Sequence, residues 1–130
     1  MSGFLLDTHA VVWAMNEPGR LGSAAHRVIS DPASELYVSA VSAWEVATKH
    51  RIGKLPGAEV LLATWDANLR RLHARELDIT GSHALLAGQI DWEHRDPFDR
   101  MLAAQAVLES LTLVTTDAAF AGFGHVRTLW

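Results

Sequence analysis

Two short apolar runs, each leading into an acid, set the tightest limit on how this chain can fold. Gly3 to Asp7 reads as a short buried strand, apolar until its terminal acid. Leu111 to Thr115 reads as another, with Asp117 just beyond it. Runs this short and this apolar fit strands covered on both faces. Between them the pattern alternates. Thr8 is expected to cap a helix through Val11, Val12, Trp13 and Met15, broken at Asn16-Glu17-Pro18-Gly19. Leu21 to Ile29 reads as helix, with Ser23 as cap and Asp31-Pro32 as stop. Leu36-Tyr37-Val38 is a strand, and Ser39 caps a helix from Ala40 to about Arg51, closed by Gly53. After a turn at Lys54 to Gly57 come a longer helix, Ala58 to about Arg71, and a weak strand, Glu76 to Ile79. Thr80 caps a helix to Ile90, a polar loop spans Asp91 to Asp96, and an Ala-rich helix runs from Pro97 to Ser110. Ala118 to Phe120 is a turn or short helix, and Val126 to Trp130 an edge strand. Strands alternating with helices predict an α/β fold, a parallel sheet with helices on both faces.

Such sheets bind ligands at the carboxyl ends of their strands. Asp7 and Asp117 fall at two such ends, on one edge of the sheet. Helices that follow parallel strands begin at the same edge. In Asp96-Pro97-Phe98-Asp99, Pro97 suits the first helical position, Asp96 the N-cap and Asp99 the third position. Glu45 lies nearly two turns into the helix after the second strand, among apolar Trp44, Val46 and Ala47. Each acid also has a plain structural use. Asp7 can end its strand and cap the next helix, Glu45 can pair with Lys49 at i,i+4, and Asp99 can meet the helix dipole. Asp117 can close a turn, and Asp96 is expected chiefly to cap, with a supporting role. Together, however, they repel. Two carboxylates about 4 Å apart cost roughly 4 kcal/mol at an effective dielectric near 20. A hard divalent cation such as Mg²⁺, which prefers oxygen ligands, removes that cost. It also acidifies a bound water and stabilises charge at phosphorus.

The 130 residues are expected to form one domain, 1–130, with core enough to need no staples. There is no cysteine, so disulfides and thiolate metal sites are excluded. No apolar run approaches a membrane span, and Met1 to Asp7 lacks the features of a signal peptide, so a cytoplasmic setting is expected. A net charge of −4 argues against binding nucleic acid through composition alone. The seven histidines include no His-Glu-x-x-His, so zinc is not indicated. His9 and His94 fall near the acids and are expected to be local hydrogen-bonding residues. Gly53-Lys54 is no phosphate loop, and no Gly-x-Ser-x-Gly is present. A phosphatase needs Asp-x-Asp where position 9 is His, and a phospho-receiver needs an adjacent acid pair where Asp7 stands alone. Most of the five tryptophans are expected in the core.

Four motifs in order carry a resemblance: Leu5-Leu6-Asp7-Thr8-His9, then Ser39-x-x-Ser42-x-Trp44-Glu45. After these come His94-x-Asp96-Pro97-Phe98-Asp99-Arg100-x-Leu102-x-Ala104-Gln105-Ala106, then Thr115-Thr116-Asp117. Across almost its whole length the chain resembles PIN-domain ribonucleases, and among them the VapC-type toxins of bacterial toxin–antitoxin pairs. The resemblance implies a three-layer α/β/α sandwich around a parallel sheet of four or five strands. It places the family's acidic quartet on Asp7, Glu45, Asp99 and Asp117, flanked by Thr8 and Thr116. It implies Mg²⁺- or Mn²⁺-dependent endonucleolytic cleavage of RNA by a metal-activated water, a second copy as partner, and an antitoxin. Basic residues gather as Lys49-His50-Arg51 with Lys54, as Arg70-Arg71 with His73 and Arg75, and as His94-Arg95 with Arg100. Arg100 is the best single candidate to hold an RNA backbone. The competing expectation is a non-catalytic module that keeps the fold and only binds RNA or a partner.

Overall fold

The computed structural model describes residues 3–130. Met1 and Ser2, which open the stretch expected to lack a leader, lie outside the described residues. Five strands form one all-parallel sheet: β1 (Gly3–Leu6), β2 (Glu35–Ser39), β3 (Ala74–Leu77), β4 (Thr112–Val114) and β5 (Thr128–Leu129). Their order across the sheet is β3-β2-β1-β4-β5. Seven helices accompany them: α1 (Thr8–Asn16), α2 (Ser23–Ser30), α3 (Ala40–Arg51), α4 (Glu59–Ala63), α5 (Trp65–Arg71), α6 (Gly81–Gln89) and α7 (Pro97–Leu108).

Period-2 alternation along the central strands sorts their side chains between two cores. Leu5 and Leu113 face a core built from α6 and α7, with Ala87, Leu102, Ala103 and Ala106. Leu6, Val38 and Val114, one pleat on, face the opposite core with Ala10, Val11, Ala25, Leu61 and Leu69 of α1, α2, α4 and α5. The register sets like against like: Leu5 pairs with Leu113, and Leu6 with Val114 and Val38. This is the expected three-layer α/β/α sandwich. Helix α3 gives Val41 to one core and Val46 to the other, so it reaches both layers. The chain runs outward from β1 through β2 to β3, then returns to β4 on the far side of β1. Strand order therefore reverses between β1 and β4, which opens a crevice at their carboxyl ends.

Several elements differ from expectation, each for a local reason. The cap of α1 is Asp7, not Thr8: the Asp7 carboxylate accepts the Ala10 N–H at 2.8 Å. Gly22, not Ser23, precedes α2. The long helix from Ala58 breaks into α4 and α5 at Thr64, whose hydroxyl bonds back to the Val60 carbonyl at 2.7 Å. Such back-bonding competes with the helical ladder and bends it. Strand β3 starts two residues earlier than the Glu76–Ile79 expectation, because His73 turns the chain at φ 55° directly after α5. Ser110, at φ 55°, likewise ends the last long helix at Leu108 and turns it into β4. The edge strand β5 is only Thr128–Leu129, shorter than Val126 to Trp130.

The tryptophans also depart from expectation. None is fully buried: Trp44 is 59% exposed, Trp65, Trp92 and Trp130 line the margins of the cores, and Trp13 packs against Trp130. Leucine, valine and alanine side chains fill most of the centre instead, with Phe120, His83 and Gln105 among them. Among the described residues no helix is long and apolar enough to cross a membrane. Leu113 is fully buried between β1 and α7, so Leu113→Ala is expected to cost about 2–5 kcal/mol in urea unfolding.

Candidate active site

The acids gather along the carboxyl edge of the sheet, at and beside the reversal of strand order. Asp7 follows β1, and its N–H bonds to the Val114 carbonyl of β4 at 3.0 Å. Its side chain is 4% exposed. Burial pushes its pKa up, against hydrogen bonds from the Thr115 hydroxyl and the Ala10 N–H and the field of His9; Asp117 nearby adds to the rise. Asp117 itself is exposed, caps the short 3-10 turn Ala118–Gly122 by accepting the Ala119 N–H at 2.9 Å, and donates its own N–H to Thr115 Oγ1 at 3.0 Å. Thr115 thus ties Asp7 to Asp117.

Glu45 reaches the same edge from α3 and is 3% exposed. One carboxylate oxygen accepts the Thr8 hydroxyl at 2.6 Å, and the other accepts the Lys49 ammonium. Thr8 also meets the Ser42 hydroxyl at 3.0 Å. The residue next to Asp7 therefore holds Glu45 in place across 37 residues of chain. The expected ion pair with Lys49 is present, but it sits beside the other acids and does not replace them. Trp44 and Ala47, its expected apolar cover, are exposed; burial of Glu45 comes from neighbouring elements.

Asp99, in the first turn of α7, lies against Glu45 electrostatically. Burial raises its pKa to about 6; the His94 hydrogen bond opposes the shift, while Asp96 and Glu45 add to it. His94 Nε2 lies 2.7 Å from Asp99 Oδ2. Asp96 caps α7, accepting the Phe98 and Asp99 N–H groups at 2.9 and 3.3 Å. Its capping role is as expected.

The four expected acids are thus linked in pairs, Asp7 with Asp117 and Glu45 with Asp99, with Thr8 joining the pairs. Among the described residues, one group offers three potential ligating atoms within 4.8 Å of one another: His94, Asp96 and Asp99. Only one expected quartet member belongs to it. Thr116 is exposed, while its neighbour Thr115 is buried and hydrogen-bonds to Asp7 and Asp117. One other expectation needs correction. Arg100 does not present its guanidinium to a ligand. It donates to the carbonyls of Ala87, Ile90, Trp92 and His94 at 2.7–3.0 Å, lashing the loop before α7 to the helix. The sequence carried no signal for this, since its acceptors are backbone atoms. Lys49 is likewise committed to Glu45, and His50 Nε2 lies 3.1 Å from Glu59.

Chemically, the acids offer hard oxygen donors, and two of them, Asp7 and Asp99, have pKa values raised chiefly by burial and further by neighbouring acids. That donor set fits a hard divalent cation.

A profile of the PIN domain matches residues 4–126. The chain belongs to the PIN domain family. It is 35% identical to Ribonuclease VapC22 of Mycobacterium tuberculosis over the full length of both. Among solved structures it is similar to VapBC2 from Rickettsia felis bound to a promoter DNA fragment (TM-score 0.70, 18% identity, covering 97% of this chain and 96% of that one). It is also similar to FitAcB from Neisseria gonorrhoeae (TM-score 0.65, 20% identity, 98% and 96%). A toxin–antitoxin complex from Klebsiella pneumoniae gives a TM-score of 0.63 at 17% identity, covering 97% of each chain. These structures share the PIN fold seen here.

A carboxyl whose folded pKa is raised costs stability once ionised. For Asp99 that cost is absent below the ordinary value of 3.8 and complete above about 6. In chelator-treated protein, Asp99→Asn is therefore expected to unfold at higher urea than wild type at pH 7.5, with the advantage fading towards pH 4.

Proposed function

We propose that this chain is a Mg²⁺- or Mn²⁺-dependent endoribonuclease and serves as the toxin of a toxin–antitoxin pair. One observation carries the reading: acids from four separated segments lie along the carboxyl edge of the parallel sheet, Asp7 raised in pKa by burial and by Asp117, and Asp99 by burial and by Asp96 and Glu45. The full-length likeness to a relative named as a ribonuclease supports RNA as the substrate class. The likeness to a structure described as a toxin–antitoxin complex supports a cognate antitoxin. A homodimer and a cytoplasmic setting belong to the same reading.

In this mechanism Asp7, Glu45 and Asp99 would hold the cation, and Asp117 would hold a second ion or orient a water. A bound divalent cation supplies charge that acidifies a coordinated water and stabilises the phosphate as it is attacked. The rest falls to the chain's own groups. Thr8 and Lys49 hold the two oxygens of Glu45, so that buried carboxylate keeps one orientation. Thr115 keeps Asp7 and Asp117 in register across the strand ends. Asp96 fixes the first turn of α7, and with it the backbone of Asp99. An RNA strand carries its own negative charge toward an acidic chain, so attraction has to come through the cation and not through net charge.

The test is cleavage of end-labelled RNA with Mg²⁺ against chelator. Asp7→Asn and Asp99→Asn are each expected to lower the rate at least about 100-fold, as loss of several kcal/mol of metal-derived stabilisation requires, with circular dichroism unchanged. Undiminished cleavage in both variants would remove the proposal. Metal-independent RNA binding by wild type without cleavage would instead mark a binding module.

A further inference from the structure

The loop between α6 and α7, residues 90–96, has no regular structure, yet side chains of α7 tether it. Arg100 stands next to Asp99 in α7. Its Nε donates to the Ala87 carbonyl at 2.8 Å and its Nη2 to Ile90 at 2.7 Å. Its Nη1 serves both Trp92 at 2.8 Å and His94 at 3.0 Å. A planar guanidinium can satisfy that many carbonyls only in one arrangement of the loop. The backbone of His94 is therefore fixed relative to the first turn of α7. Its ring is held too: it lies against the Trp92 indole with centroids 4.8 Å apart and planes at 39°. Trp92 in turn stacks on Phe123 at 5.3 Å and packs against buried Phe120. From this support His94 Nε2 meets Asp99 Oδ2 at 2.7 Å.

We propose that His94, braced by Arg100 and Trp92, is a positioning residue that sets the orientation of the Asp99 carboxylate and so the affinity of the site for a divalent cation. The proposal rests on the metal-dependent reading above. His94 lies within 4.8 Å of the Asp96 and Asp99 oxygens, a spacing that also suits direct ligation. The hydrogen bond favours positioning: an ionised carboxylate only accepts, so Nε2 carries its proton toward Oδ2, and a protonated Nε2 cannot bind a metal, which leaves direct ligation to Nδ1 alone. The imidazole occupies one of the four lone-pair positions of the carboxylate and leaves the others to the ion. Partners of this kind fix the rotamer of a ligating side chain before the ion arrives, so less ordering is needed on binding.

Manganese serves as the probe, with free Mn²⁺ followed by its solution electron paramagnetic resonance signal in the absence of RNA. His94→Ala is expected to bind Mn²⁺ about 10–100-fold more weakly than wild type. His94→Gln keeps a side-chain N–H for Asp99 and is expected to recover most of that loss. Melting of the metal-free proteins reports whether each variant is folded. Echo-modulation spectra of wild type with bound Mn²⁺ are expected to show no directly coordinated nitrogen. Wild-type affinity in folded His94→Ala, or a coordinated nitrogen in wild type, overturns the proposal. Asp7→Asn and Asp99→Asn separate the two ideas. If they lose Mn²⁺ and His94→Ala does not, only the positioning role falls; if they bind as wild type does, the metal-dependent reading falls as well.

Discussion

Buried carboxylates that repel one another are the constraint on which this molecule depends. Asp7 and Glu45 are almost wholly shielded from water, and Asp99 is only partly exposed to it. Among the described residues, Lys49 alone of the lysines and arginines makes an ion pair with a quartet acid, beside the imidazole on Asp99. A chain built for stability alone would place apolar residues there, because an unpaired buried charge is costly. The fold tolerates the arrangement because the surrounding framework is over-determined. The β1–β4 pairing, the Thr8–Ser42–Glu45 hydroxyl bridge and the Arg100 lashing each hold a different segment at the same edge.

A structural use of the acids does not compete with the proposed functional one. Asp7, Asp96 and Asp117 each cap a helical turn, and each stands at the candidate site. A cap accepts from the backbone with one oxygen, which fixes the side chain while leaving lone pairs for a cation. In a parallel sheet every following helix starts at the carboxyl edge. The residues that start helices are therefore the residues that can reach a ligand. Helix starts also present partial positive charge, which eases the crowding of negative side chains.

Arg100 shows how a charged residue can serve a site without facing it. Its guanidinium is consumed by carbonyls of residues 6 to 13 positions earlier, and the gain is a loop of fixed shape beside Asp99. Exposed Trp44 packs edge-on against Phe98 at 4.9 Å, so the apolar flank of the same helix start is braced from α3. The exact orientation of one carboxylate thus draws on α3, α6, α7 and the loop between the last two.

What could be read from the chain by itself was whatever acts within a few residues or through simple periodicity. Buried strands at Leu5 and Leu113, caps at Ser39, Thr80 and Asp96, and the α/β alternation all follow from such rules. So does the placing of Asp7 and Asp117 on one edge, because parallel strands share their direction. Tertiary structure decided the rest. It turned Thr115 inward between Asp7 and Asp117, spent Arg100 on distant carbonyls, and left every tryptophan short of full burial. It split one helix at Thr64 and brought Glu45 to Thr8 across 37 residues. Partners in these contacts lie far apart in the chain or are backbone atoms common to all residues. No local pattern marks them, and only the packing of layers selects which of many equal acceptors a side chain meets.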